Sequence, residues 1–331
     1  MARQWTGQEI LAVVRGFQPG CIIAAAAELD LFTALSDESQ SAESLADALH
    51  TDLRGVTILL DALAAMELLT AEGGRYALAP GIAETLCEGD DRNVLAMVRH
   101  QINCLRGWSQ LAQVVRDGRP AERTPSIRGA EADQAAFIEA MDVVSRPSAE
   151  PLVSAIGPPN FTHFLDVGGG PATWTIAFLR AMPGATATLF DRPTTIPIAQ
   201  AHVAAAGMED RVRLIAGDFE ADPLPAGADL AWVSAIVHMN SREQNRDLLA
   251  KVHQALAPGG RVLIRDVVMD ETHTRPADGA LFAVNMLVHT LGGGTFTFSE
   301  LSEDLTAAGF VEPALLQEKP FMDSVVQAIR P

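Results

Sequence analysis

The sequence predicts two domains: an N-terminal helical domain patterned as a winged helix, and a C-terminal α/β domain built on a doubly wound parallel sheet. Three observations carry this. Helical apolar spacing gives way to a small hairpin before residue 80, short apolar runs alternate with helical segments from about residue 160, and a glycine-rich turn joins the first of those runs to its helix. A length of 331 residues accommodates both domains, one of them of ordinary α/β size.

Residues 8 to 36 place Ile10, Val13, Val14, Phe17, Ile22, Ile23, Leu29 and Phe32 at helical spacing, and Pro19-Gly20 predicts a break between two helices. Ser41 is the expected cap of a helix through Leu45 and Leu49, and another helix carries Val56, Leu59, Leu60, Leu63 and Met66. Leu68-Leu69-Thr70, the turn Glu72-Gly73-Gly74-Arg75 and Tyr76-Ala77-Leu78 complete the winged pattern as a hairpin. Residues 93 to 156 are helical in pattern, interrupted from Asp117 to Gly129, and Pro158-Pro159 closes the region. Five strands are then predicted at Phe164–Val167, Ala187–Phe190, Val212–Ala216, Leu230–Ser234 and Arg261–Val268, followed by an edge hairpin from Glu312–Leu316 and Ser324–Ile329.

A net charge of -18 argues against a phosphate-binding surface, so the winged helix reads as a packing module and no nucleic-acid partner is expected. No uninterrupted apolar stretch has the length of a membrane span, the opening Met1-Ala2-Arg3-Gln4-Trp5 lacks the order of a signal peptide, and Cys21, Cys87 and Cys104 show neither paired nor metal-ligand spacing. These features predict a cytoplasmic protein with no membrane partner.

The first strand runs into Asp166-Val167-Gly168-Gly169-Gly170, where glycines let a ligand approach the backbone without a Cβ in the way. Such a turn also serves plain packing or a dinucleotide. Asp191 follows the second strand, about 20 residues on, where a carboxylate can accept hydrogen bonds from two ribose hydroxyls. Gly217-Asp218-Phe219 follows the third strand and offers a carboxylate and an aromatic ring to a purine. Leu256-Ala257-Pro258-Gly259-Gly260 turns into the fifth. A dinucleotide enzyme would carry a third glycine where Thr173 stands.

Together with Leu165, Pro193 and the run Ser234-Ala235-Ile236-Val237-His238 before a helix starting near Ser241, these pieces resemble the class I S-adenosylmethionine-dependent methyltransferases. More narrowly, the chain is similar over nearly its whole length to the caffeate-type O-methyltransferase family and its bacterial natural-product relatives. The resemblance implies a Rossmann-like methyltransferase domain over residues 99–331, whose helical part 99–157 borders the acceptor pocket, and a winged-helix homodimerisation domain over residues 1–98. It implies that Asp166, Gly168 and Gly170 hold the methionine end of S-adenosylmethionine, Asp191 the ribose, Asp218 and Phe219 the adenine, and that Ser234 is a further cofactor contact. Pro171-Ala172 departs from the family's Thr or Ser followed by Gly.

Methyl transfer needs an aligned acceptor and, for a hydroxyl, a base; a histidine with an ordinary pKa near 6.5 suits the task. His238 falls at the family's catalytic histidine. A lone histidine after a strand is more often structural, and its motif context is what favours catalysis. Met239-Asn240 follow it where the family has Asp-Trp, and of the two orienting glutamates one corresponds to Asp266 and the other falls near Thr295. The resemblance places Trp108, Met141 and His289 along the acceptor pocket; Trp108 and Met141 read equally well as core. Arg146 is a candidate carboxylate partner or a surface arginine. The leading expectation is O-methylation of a small molecule. The alternatives are C-methylation of a 2-oxo acid on a divalent metal held by His238 and His289, S-methylation, or a binding protein without transfer.

Overall fold

The computed structural model describes residues 3–331 apart from Glu88, Asp90, Asp91, Pro158, Pro159 and Pro320, so the expected Pro158-Pro159 boundary lies outside the described residues. The chain forms two compact units, residues 1–106 with 124–143, and residues 107–123 with 144–331.

The first unit opens with helices α1 (Gly7–Arg15) and α2 (Phe17–Glu28). The break between them falls at Gly16 rather than at Pro19-Gly20. Pro19 sits in the first turn of α2, where a missing N–H costs no intrahelical bond. A capping box between Thr6 and Glu9 starts α1. Gly7–Glu28 is long and apolar enough, by length and composition, to cross a membrane, although it is not an uninterrupted apolar run. The segment escapes a search for uninterrupted apolar runs because Glu9, Arg15 and Gly16 punctuate it.

Helices α3 (Leu31–Ala34), α4 (Ala42–Leu49) and α5 (Leu53–Ala65) follow. Ser41 and Asp52 cap α4 and α5 by accepting the backbone N–H groups of Ser44 and Gly55. Strand β1 (Gln40–Ser41), which the sequence pattern does not reveal, pairs with β3 (Arg75–Leu78), and β3 pairs with β2 (Leu69–Glu72) across the turn Gly73-Gly74. Both turn glycines have positive φ, 58° and 76°, as a tight two-residue hairpin requires. A shared core of Leu31, Phe32, Leu45, Val56, Leu60, Leu63 and Tyr76 holds the wing to the helices. Helices α6 (Ile82–Leu86), α7 (Leu95–Trp108), α8 (Leu111–Asp117) and α9 (Ala130–Ile156) come next along the chain, α8 and the part of α9 from Val144 on belonging to the second unit, and α9 runs continuously through Pro147 and Pro151.

The second unit contains a seven-stranded sheet. Strands β4 (His163–Val167), β5 (Thr186–Asp191), β6 (Val212–Ala216), β7 (Ala228–Ser234) and β8 (Leu256–Asp266) are mutually parallel. Helices α10 (Thr173–Ala181), α11 (Ile196–Ala205) and α12 (Arg242–Ala255) connect them, the last started by a capping box between Ser241 and Gln244. The fifth strand ends at Asp266 rather than Val268. Asp266 Oδ1 accepts the N–H of Val267 at 2.8 Å and turns the chain. Val268–Met269 becomes the short strand β9, parallel to β10 (Phe296–Thr297). Helices α13 (Ala277–His289) and α14 (Phe298–Ala307) precede the expected edge hairpin, β11 (Val311–Gln317) and β12 (Ser324–Ile329).

Side chains alternate between the sheet faces. Phe164, Leu230, Trp232 and Leu263 enter one core with Trp174 and Phe178, while Leu165, Val167, Ala231, Val233, Val262 and Ile264 enter the other. Each fully buried Leu or Phe contributes about 1.5–3 kcal/mol. This double burial fixes the strand register and brings the C-terminal ends of β4, β5, β7 and β8 to one edge.

Candidate active site

At that edge β4 ends in a loop whose geometry requires glycine. Gly168 and Gly170 have φ of 66° and 54°, and Ala172 adopts φ 68° at the start of α10 despite its Cβ. A Cβ on Gly168 would stand 2.6 Å from Ile236 Cδ1, and one on Gly169 would stand 2.6 Å from Leu189 Cγ, so neighbours press the loop from two sides. A Cβ on Gly170 would meet nothing within 4 Å. The loop is therefore packed below and open at Gly170, a cradle for a ligand.

Asp191, at the end of β5, is buried and accepts the Gly170 N–H on Oδ2 at 2.8 Å and the Arg192 N–H on Oδ1 at 2.6 Å. Each oxygen retains a lone pair, which suits a carboxylate facing two hydroxyls. Asp166 is 1% exposed and accepts the Thr175 hydroxyl at 2.6 Å. Burial, reinforced by the charge of Asp191 and opposed by the Thr175 hydrogen bonds, pushes its carboxyl up to about 7. Phe219 is buried, with Cε1 3.5 Å from where a Gly168 Cβ would be, so the third-strand loop lies against the first. Asp218 Oδ1 accepts the Glu220 N–H at 2.9 Å. Ser234 ends β7 and its hydroxyl accepts from Arg265 Nη1 at 3.2 Å.

Beyond Ser234 the chain turns through Ala235, at φ 57°, into a 3₁₀ turn Val237–Met239. Buried Asn245 donates to Val237 O and accepts from Asn240, fixing this turn from α12. His238 is 6% exposed, and its Nδ1 lies 2.9 Å from each oxygen of Asp266, itself 2% exposed. An acceptor carboxylate there assigns the proton to Nδ1 and leaves Nε2 as the free lone pair. The ring of Phe282 on α13 meets the imidazole edge-to-face with centroids 4.8 Å apart. Thr295 is buried and its hydroxyl donates to Gly279 O at 3.4 Å; the Gly294 N–H donates to His238 O at 2.9 Å. A Cβ on Gly293 would come within 2.5 Å of His238 O, so the glycine run after α13 packs on the histidine turn.

The remaining candidates lie elsewhere. Trp108 Nε1 donates to Asn285 Oδ1 at 2.8 Å, and a Cβ on Gly107 would stand 2.5 Å from His289 Cε1, which seats both side chains of α13 against the end of α7. His289 is half-buried; burial and then the charge of Arg123 push its pKa down. Met141 is half-buried in the first unit and Arg146 is exposed in the second. Among the described residues no group of three or more His, Cys, Asp and Glu side chains is placed to hold a metal ion. Residue patterns overlooked Arg265, Phe282 and the Asn240–Asn245 pair. A charged residue inside the apolar run Val262-Leu263-Ile264-Arg265 is the signal that marks the first; nothing in sequence distinguishes the others.

An O-methyltransferase domain model matches residues 108–311, and an O-methyltransferase dimerisation domain model matches residues 12–88. The chain belongs to the O-methyltransferase family. Members similar to it include the tetracenomycin polyketide synthesis 8-O-methyl transferase TcmO of Streptomyces glaucescens, 32% identical, with 92% of this chain and 91% of that protein covered. The 3-hydroxy-5-methyl-1-naphthoate 3-O-methyltransferase of Streptomyces sahachiroi is also 32% identical, with coverage of 93% and 91%. Among solved structures, the S-adenosylmethionine-dependent methyltransferase SibL superposes with a TM-score of 0.62 at 28% identity, covering 97% of this chain and 98% of its own. The protein is thus an S-adenosylmethionine-dependent methyltransferase with a helical dimerisation domain and a Rossmann-like catalytic domain. The cofactor is S-adenosylmethionine, and the open cradle at Gly170 beside Asp191 fits it.

Proposed function

We propose that this methyltransferase acts on an aromatic hydroxyl of a small molecule from natural-product metabolism. The observation that carries the reading is the buried His238–Asp266 pair, with both carboxylate oxygens 2.9 Å from Nδ1. A neutral imidazole oriented in this way accepts a phenol proton on Nε2 as the oxygen attacks, and Asp266 stabilises the imidazolium that results. Asp266 is shorter than the glutamate expected at this position, yet the pairing is made directly. The cofactor supplies the electrophilic methyl group. Gly170 leaves room for its methionine end on the loop that Gly168 lets turn, Asp191 accepts its ribose hydroxyls, and Asp218 with Phe219 borders its adenine. Asp166, buried and bonded to Thr175, acts on that pocket through the loop that it braces.

Trp108, Asn285 and His289 form part of the acceptor wall on this reading. Residues 1–98 form the homodimerisation domain and residues 99–331 the catalytic domain. Acidity and the absence of a basic cluster fit a cytoplasmic enzyme with neither nucleic acid nor membrane as partner. Incubation of the protein with methyl-labelled S-adenosylmethionine and hydroxyarenes, followed by NMR of the product, tests the reading. A methyl ether is expected, also after dialysis against chelator. A C-methyl or S-methyl product, or dependence on a restored divalent metal, would overturn it.

A further inference from the structure

Phe321 lies in a short 3₁₀ turn, Phe321–Asp323, between the strands of the edge hairpin, and holds φ 56° although it is bulky and not glycine. Such a residue rarely occupies that region unless its surroundings hold it there. Here the turn is pinned at its far end. Asp323 Oδ1 accepts from Arg265 Nε at 2.9 Å and Nη2 at 2.6 Å, and the Arg265 guanidinium lies over the Trp174 ring 4.5 Å from its centroid. The hydroxyl of the fully buried Ser324 accepts the Lys319 N–H at 3.1 Å and donates to Lys319 O at 2.9 Å, closing the loop. Arg265 is itself buried, so its charge needs Asp323, and the pair anchors the turn to the strand that carries Asp266.

The result of this anchoring is a row of rings. Phe282 stands edge-to-face on His238 at 4.8 Å, Phe321 stands edge-to-face on Phe282 at 5.7 Å, and Phe321 remains 43% exposed. The row begins at the base and extends outward to an open aromatic surface.

We infer that Phe321, held by the Arg265–Asp323 pair, is a specificity-determining residue that selects fused polycyclic hydroxyarenes, whose reacting ring meets His238 while a distal ring packs on Phe321. A monocyclic phenol held at His238 would leave the Phe321 surface wet. A planar multi-ring acceptor covers it, and an aromatic contact of that kind is worth enough to change selectivity about tenfold.

This inference rests on O-methylation as proposed above. The test measures kcat/KM for hydroxyanthraquinone, naphthol and phenol with the full-length enzyme, and reads the tricyclic-to-monocyclic ratio within each variant, so that a reduced active fraction cancels. The native ratio should favour the tricyclic acceptor. Phe321→Ala should lower that ratio about tenfold, Phe321→Trp should keep it, and Asp323→Asn, which frees the turn, should lower it in the same direction. Methyl ethers formed with no size preference, or an unchanged ratio in Phe321→Ala, would overturn the inference while leaving O-methylation standing. Failure to methylate any hydroxyarene would remove both.

Discussion

A buried carboxylate one methylene shorter than the family's glutamate still reaches His238, because the turn after β8 brings Asp266 to the imidazole and Asn245 holds the histidine turn from below. The two other buried aspartates at this edge of the sheet have different tasks. Asp191 offers lone pairs beside the glycine loop, so Asp191→Ala should weaken S-adenosylmethionine binding about tenfold to a hundredfold in titration calorimetry. Unchanged affinity would remove the ribose assignment. Asp166 is driven up to about 7, so its native form binds a proton that the unfolded chain, with a carboxylate near 3.8, has already released. Its favourable contribution is full below about pH 4 and is lost as pH rises through about 7, at about 1.4 kcal/mol per pH unit between those limits. Asp166→Asn should therefore melt progressively higher than the native cofactor-free protein as pH is raised from 4 to 7, with the gap constant above. A gap independent of pH would contradict the buried, protonated carboxyl. At this scale the sequence shows which residue types stand after each strand, but not that Asp166 faces Thr175 or that Arg265 faces Asp323. Those partners lie 9 and 58 positions away and meet only in the folded sheet.

Among the elements, α1 and α2 are the least self-sufficient. Ile10, Leu11, Val13, Val14 and Phe17 are all more than half exposed, and α1 contributes no buried residue to its own unit. An apolar surface of this kind is characteristic of an interface, and the dimerisation model spans residues 12–88. Val13→Glu with Val14→Glu should convert a dimer into a monomer, read by light scattering on a sizing column, since two desolvated carboxylates would oppose each copy. A variant that remains dimeric, or a native protein that is monomeric at micromolar concentration, would refute this assignment of the helices. The five parallel strands and the edge hairpin were legible because each is an apolar run bounded by glycine, proline or polar turns. The ends were less so. The helix break at Gly16 and the early stop at Asp266 depend on a proline tolerated in a first turn and on a carboxylate folding back to its neighbour's N–H, neither of which changes the apolar pattern.

For the whole molecule, the order of motifs along the chain is what made the fold and the cofactor readable together: the glycine loop, Asp191, the Gly217-Asp218-Phe219 loop and the His238 turn follow β4, β5, β6 and β7 in order, and a parallel sheet delivers all of them to one edge. The acceptor was not readable in this way, because the side chains of α13 and of the hairpin turn near His238 share no sequence motif. The central claim is that His238, oriented by Asp266, removes the acceptor proton, and it is tested most directly by measuring turnover and S-adenosylmethionine affinity on the same preparations of His238→Ala. Turnover should fall about a hundredfold to ten-thousandfold while cofactor affinity remains that of the native enzyme. Native-like turnover in that variant, or a loss of activity matched by an equal loss of cofactor binding, would contradict it.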